Sequence, residues 1–194
     1  MHPDWLSAEP RTPAEEFLCR VVDAARATVT RVWLYGGYAL EILLGRRIRE
    51  HDDVEFLAKL QDWPRLFRLI ANPEYRFDYA APTALHVYRG SLCVADVLLA
   101  EDHPDGFPFI RAPLGANPLP PRSLSDGPVV TMWGRRVQVV TLECLFVMKA
   151  SGNFTGPRPE SNPKHRSDLE LIEGRLTAAA IRSLAPYCRV IAAP

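Results

Sequence analysis

The sequence predicts an α/β protein of the α+β kind, a mixed β-sheet flanked by helices with a small helical segment at the C-terminal end. Three observations predict it. Helix-spaced and strand-like apolar runs alternate through the first 100 residues; a meander and a hairpin follow; and the last 50 residues turn helical. At 194 residues, with 47% hydrophobic and 24% charged side chains, the chain can bury a core of its own and does not have the composition of a disordered tail.

Taken in order, Thr12-Pro13-Ala14-Glu15 reads as a helix start: a Thr cap, Pro at the first position and Glu three residues after the cap. Phe17, Leu18, Val21, Val22 and Ala25 then recur at helical spacing, which predicts a helix over 13–29. Arg31 to Tyr35 reads as a buried strand ending at Gly36-Gly37, followed by a helix over 38–44 that Gly45 stops. Strand-like runs follow at 53–57, 75–80, 84–89 and 92–100, with a capped helix over 62–70. From 101 to 127 six prolines and many polar residues predict a long irregular loop. Val129–Met132 and Arg135–Val140 flank Trp133-Gly134 as a hairpin, and helices are predicted from Thr141 through Lys149, from Pro163 and from Thr177, with a Gly/Pro stretch over 152–163. The division expected is a core over 1–140 and a helical segment over 141–194 packed on it.

Charge narrows the function. Lys plus Arg number 23 and Asp plus Glu number 23, which argues against a surface built throughout to grip nucleic acid. No run approaches the length of a membrane span, and Met-His-Pro-Asp-Trp lacks the basic and apolar regions of a signal peptide, so a cytoplasmic protein is expected. Cys19, Cys93, Cys144 and Cys188 stand singly among apolar neighbours with no histidine near them in sequence. They read as buried free thiols in a reducing compartment, and no zinc site is expected.

The chemistry concentrates in Asp53-Val54-Glu55. Side chains two apart on a strand share a face, so both carboxylates project together and repel unless a cation lies between them. An oxygen-ligated divalent ion such as Mg²⁺ suits that pair; the plainer alternative is two solvated acids on a strand edge. Asp96 interrupts the apolar run Leu92 to Leu99, where a carboxylate is costly unless paired or metal-bound, so it is the candidate third ligand; a buried acid satisfied by backbone donors or an arginine is the alternative. Gly36 and Gly37 open a helix after a strand, where a backbone can approach a phosphate, although Gly-Gly also marks many ordinary turns. Arg46, Arg47 and Arg49 lie between that turn and the acids, where they could equally form a solvated helix end.

Strand, Gly-Gly, helix, Asp-x-Glu strand and a later Asp together resemble the nucleotidyltransferase superfamily with the DNA polymerase β-like core. The closer resemblance, carried by Gly36-Gly-Tyr-Ala-Leu-Glu-Ile-Leu-Leu-Gly45 and Arg47-Ile-Arg-Glu-His-Asp-Asp-Val-Glu-Phe56, is to the aminoglycoside and lincosamide O-nucleotidyltransferases. It continues through Asp96-Val-Leu-Leu, Lys149 and Pro163-Lys-His-Arg-Ser-Asp168-Leu, roughly residues 31–172. Tyr38 departs from the family's commoner Trp, Glu55 from its commoner Asp, and 101–127 carries no family motif.

The resemblance implies a nucleotidyltransferase fold and an enzyme that moves a nucleoside monophosphate, AMP from ATP, to a hydroxyl of an aminoglycoside-like antibiotic. It implies two Mg²⁺ ions on Asp53, Glu55 and Asp96, with Asp96 also a candidate base. Gly36, Gly37, Arg49 and Lys149 would bind the nucleotide, and Lys164 with Asp168 would form an orienting ion pair. Lys149 as a helix-end cation, and Lys164 with Asp168 as an exposed pair, are the plainer alternatives. His51 is read as a structural partner of the acids and Asp52 as outside the site. A toxin-type enzyme that modifies tRNA or protein beside an antitoxin shares the core, and a non-catalytic module would be expected to lack one of the acids.

Overall fold

The computed structural model describes residues 6, 9–112, 115–151 and 163–191. The N-terminal pentapeptide and nearly all of the Gly/Pro stretch over 152–163 lie outside these.

Helix α1, Pro13–Thr28, begins as its sequence dictates. Thr12 Oγ1 accepts from the Glu15 amide at 3.2 Å while Glu15 Oε2 accepts from the Thr12 amide. Strand β1 (Val32–Tyr35) runs directly into α2 (Gly36–Leu44), so the helix starts at the glycine pair rather than at Tyr38. Gly45, at φ 71°, closes it. Strand β2 (Val54–Lys59) and helix α3 (Trp63–Ile70) lead to β3 (Tyr75–Ala81), β4 (Ala84–Arg89) and the long β5 (Leu92–Asp102).

The region read as an irregular loop holds two further strands, β6 (Pro108–Ala112) and β7 (Gly115–Pro118), which pair antiparallel with each other. The prolines that argued against strands sit at their ends, Pro108 first and Pro118 last, where a missing N–H costs little. Phe109, Ile110 and Ala116 are buried, and Ile110 joins the main core. Strands β8 (Val129–Met132) and β9 (Arg135–Val139) form the expected hairpin, followed by α4 (Leu142–Ser151), α5 (Pro163–Glu173), α6 (Ala178–Leu184) and a 3₁₀ turn at Ala185–Cys188.

The sheet runs β3-β4-β5-β2-β1-β9-β8, with β6 attached to β5. It is mixed: β2 pairs parallel with β5 and β1 parallel with β9, while β1–β2 and β4–β5 are antiparallel. Helices α1 and α3 cover one face, where Phe17 meets Phe56 at 6.4 Å and Phe67 meets Phe77 at 4.9 Å between ring centres. Helix α4 contributes Cys144, Leu145 and Val147 to the same core and packs on α2, α5 and α6. Cys19 and Cys144 are buried as expected; Cys93 and Cys188 are only half-buried. Among the described residues no helix is long and apolar enough to cross a membrane.

Candidate active site

The register of three strands builds the site. Glu55 on β2 lies opposite Asp96 on β5, and Asp96 lies opposite His86 on β4, so all three side chains stand in one row on the face away from Phe56 and Val87. Asp53, just before β2, belongs to the same face by the two-residue period, while Asp52 is exposed and out of phase.

The row is electrostatically strained. Burial, then the charges of Glu55 and Asp96, push the Asp53 carboxyl up to about 6. Burial likewise raises Asp96, against the pull of His86, whose Nδ1 hydrogen-bonds Asp96 Oδ1. Three carboxyls on one face, two of them with raised pKa values and all backed by an apolar sheet, are a donor set for a hard, oxygen-seeking dication. Asp53, Glu55 and Asp96 fit such an ion.

Glycines 36 and 37 serve close approach, though of side chains. Gly36 has φ +68°, and a Cβ there would lie 1.5 Å from Glu55 Oε2; the Gly37 amide donates to that same oxygen at 2.8 Å. A Cβ on Gly37 would meet the His51 ring at 2.2 Å. The start of α2 therefore seats Glu55 at the positive end of the helix.

Behind the acids, Glu41 braces the turn that delivers them. It is fully buried, and its Oε1 accepts from the amides of Ile48 (2.7 Å) and Arg49 (3.0 Å) and lies 3.0 Å from His51 Nε2. Burial would raise this acid, but His51 and the two amides outweigh it and hold it below its usual range. His51 thus partners Glu41, and its ring also lies 4.5 Å from that of Tyr38. Tyr38 is buried and donates its hydroxyl to Glu15 at 2.9 Å, a bond an indole in its place would not reproduce in kind.

On α5, Asp168 is fully buried and takes a fork from Arg49 (2.5 and 2.9 Å) together with Lys149 Nζ at 3.1 Å. Its burial is outweighed by Arg49 and Lys149, which hold it below the usual carboxylate range. Asp168 thus points inward to Arg49 and Lys149, and Lys164, expected as its ion-pair partner, lies exposed one turn before it on α5. Lys149 is itself buried, so it is no ordinary solvated helix end. Arg46 and Arg47 are exposed beside this cluster.

Three residues escaped the sequence reading. Glu41 sat unmarked within an apolar helix, His86 needs the β4–β5 register to be seen, and His165 lies in the field of Lys149, Glu55, Asp168 and Arg49, with burial first and Lys149 second holding its imidazole low. Histidine and cysteine that stand apart in sequence meet in space, because His86, Cys93 and Asp96 bring ligand atoms within 4.8 Å of one another.

Comparison with known proteins agrees with this architecture. The solution structure of the antibiotic-resistance factor ANT(2'')-Ia aligns with a TM-score of 0.68 at 18% identity, over 88% of this chain and 88% of that one. The crystal structure of ANT(2'')-Ia in complex with adenylyl-2''-tobramycin aligns at 0.61 and 18%, over 90% and 95%. The lincomycin-bound lincosamide antibiotic adenylyltransferase LnuA aligns at 0.60 and 15%, over 84% and 98%. These similarities establish the nucleotidyltransferase fold. A search of curated proteins gives no match. The model of the aminoglycoside-2''-adenylyltransferase family matches residues 17–147, a span from α1 into α4 that includes Gly36, Gly37, Asp53, Glu55 and Asp96. The chain therefore belongs to the aminoglycoside-2''-adenylyltransferase family and is an enzyme of the nucleotidyltransferase class.

Proposed function

We propose that this enzyme transfers AMP from ATP to a hydroxyl group of an aminoglycoside-like antibiotic. The observation that carries the reading is the convergence of Asp53, Glu55 and Asp96 on one face of two paired strands, with Asp53 pushed up to about 6 by burial and its neighbours. These acids would hold two Mg²⁺ ions, which when bound supply neutralisation of the triphosphate and of the departing pyrophosphate.

The chain's own groups do the rest. Asp96, oriented by His86 and less acidic than an exposed carboxylate, takes the proton of the acceptor hydroxyl at Oδ. The acceptor oxygen then bonds to the α-phosphorus as the bond to the bridging oxygen breaks and pyrophosphate leaves. Arg49 and Lys149 supply fixed positive charge for the nucleotide, and Asp168 holds both in place so that little reorganisation is needed. Gly36 and Gly37 act on the nucleotide through Glu55, which they let sit against the start of α2. In this reading residues 1–140 carry the acids, and the helical segment 141–194 carries Lys149 and Asp168; Lys164 lies at its rim.

The test is incubation with each labelled NTP and Mg²⁺ against a panel of aminoglycosides and lincosamides, with bulk tRNA as a further acceptor. Label should pass from ATP to an aminoglycoside with release of pyrophosphate. Labelling of tRNA alone would replace the acceptor in this reading by a nucleic acid.

A further inference from the structure

We propose that His86, Cys93 and Asp96 form a second cation site, one for a soft dication such as Zn²⁺, sharing Asp96 with the carboxylate pair so that the ion turns transfer off. The inhibitory half rests on the role of Asp96 proposed above; the binding half does not.

The site is made by a β-bulge. Between β4 and β5 the register steps from Val87 opposite Ala95 to Tyr88 opposite Cys93, so one residue on β4 faces two on β5 and Val94 is the extra one. In a regular strand Cys93 and Asp96, three residues apart, would point to opposite faces. The bulge restores the phase and brings the Cys93 side chain onto the face of Asp96 and His86. Its Sγ lies 3.9 Å from Asp96 Oδ1, the same oxygen that bonds His86 Nδ1, and all three ligand atoms lie within 4.8 Å of one another. A tetrahedral zinc ion with bonds of about 2.0 Å to nitrogen and oxygen and 2.3 Å to sulfur separates its ligands by about 3.3–3.5 Å, so movements of an ångström or so, opening the His86–Asp96 contact and closing on Cys93, complete the set.

The donor types separate the two sites. Asp53 and Glu55 offer oxygen alone and suit Mg²⁺, whereas imidazole, thiol and one carboxylate together select Zn²⁺ or Cd²⁺. Three protein ligands leave a fourth position for water. Loading breaks the Cys93 S–H bond, forms a sulfur–metal bond and releases that proton to solvent; the proton shared between His86 Nδ1 and Asp96 Oδ1 is displaced as well, so that Nδ1 binds while the ring carries a proton on Nε2. The ion thereby also takes the Asp96 oxygen that would accept the substrate proton.

The probe is Cd²⁺ titrated into the metal-free chain, read by its thiolate charge-transfer absorption, with Zn²⁺ affinity measured by chelator competition. Wild type should show the absorption with one ion bound. Cys93→Ala should lose it and bind Zn²⁺ at least about 10-fold more weakly, while Cys188→Ala, which removes the other half-buried thiol, should behave as wild type. In transfer assays at saturating Mg²⁺, low Zn²⁺ should inhibit wild type, a chelator should restore it, and Cys93→Ala should need about 10-fold more Zn²⁺ for the same inhibition. No thiolate absorption in wild type, or absorption that survives Cys93→Ala, overturns the site. Equal Zn²⁺ inhibition of wild type and Cys93→Ala overturns the switch and leaves the binding result to stand alone. Because Cd²⁺ binding is read without any acceptor, a failure of the antibiotic reading is distinguishable from a failure of this one.

Discussion

Asp53 is the acid that its surroundings disfavour most, and its titration gives a prediction with a definite sign. Its native pKa of about 6 exceeds the ordinary unfolded value of about 3.9, so between those values the folded chain holds the extra proton. Stability from this group is full below pH ~4 and is lost as pH rises to ~6. In chelator, Asp53→Asn should therefore melt with wild type near pH 4 and above it at pH 7.5, by about 1–3 kcal/mol. A divalent cation should raise wild type and leave the variant nearly unmoved. A gap between the two curves that does not change with pH contradicts the strain assigned to the three-acid row. The Asp-x-Glu pair was legible because a strand repeats every two residues, and Asp96 because a lone acid in an apolar run demands a partner. His86 and Cys93 were not legible: one depends on which strand lies beside β5, the other on a single inserted residue that reverses the alternation.

Among the elements, the short turn between α2 and β2 is held from two sides. Glu41 binds its amides from within α2, and Asp168 reaches from α5 to Arg49 on the turn and Lys149 on α4. Removing Asp168 would leave the buried Lys149 and the partly exposed Arg49 facing each other without their shared counter-charge, and breaking a buried pair costs up to about 3–5 kcal/mol. Asp168→Ala should lower the melting temperature sharply, whereas Lys149→Ala, which leaves the Arg49 fork intact, should cost less stability and show its main effect as weaker ATP binding. Equal stability loss with unchanged nucleotide affinity would make Lys149 purely structural. Helices with clear caps and apolar spacing, α1 above all, were readable to within a residue or two. Strands β6 and β7 were hidden because proline content speaks against a strand in general, yet proline at an end position removes no needed hydrogen bond.

Over the whole molecule, the alternation of elements conveyed the class of fold but not the strand order. That order places β5 beside β2 and β9 beside β1, pairings between segments far apart in sequence that no local pattern encodes. It is also what turns three scattered acids into one site, which makes their joint necessity the central claim. The most direct measurement is single-turnover transfer from labelled ATP to an aminoglycoside by wild type, Asp53→Ala and Glu55→Ala, each verified as folded by its melting curve. Loss of essential charge stabilisation predicts a fall of 10²-fold or more in each variant with melting temperatures level with or above wild type. Transfer above about 10% of the wild-type rate in both variants would contradict the account, since a loss that small is less than one tenfold step, about 1.4 kcal/mol, in the barrier.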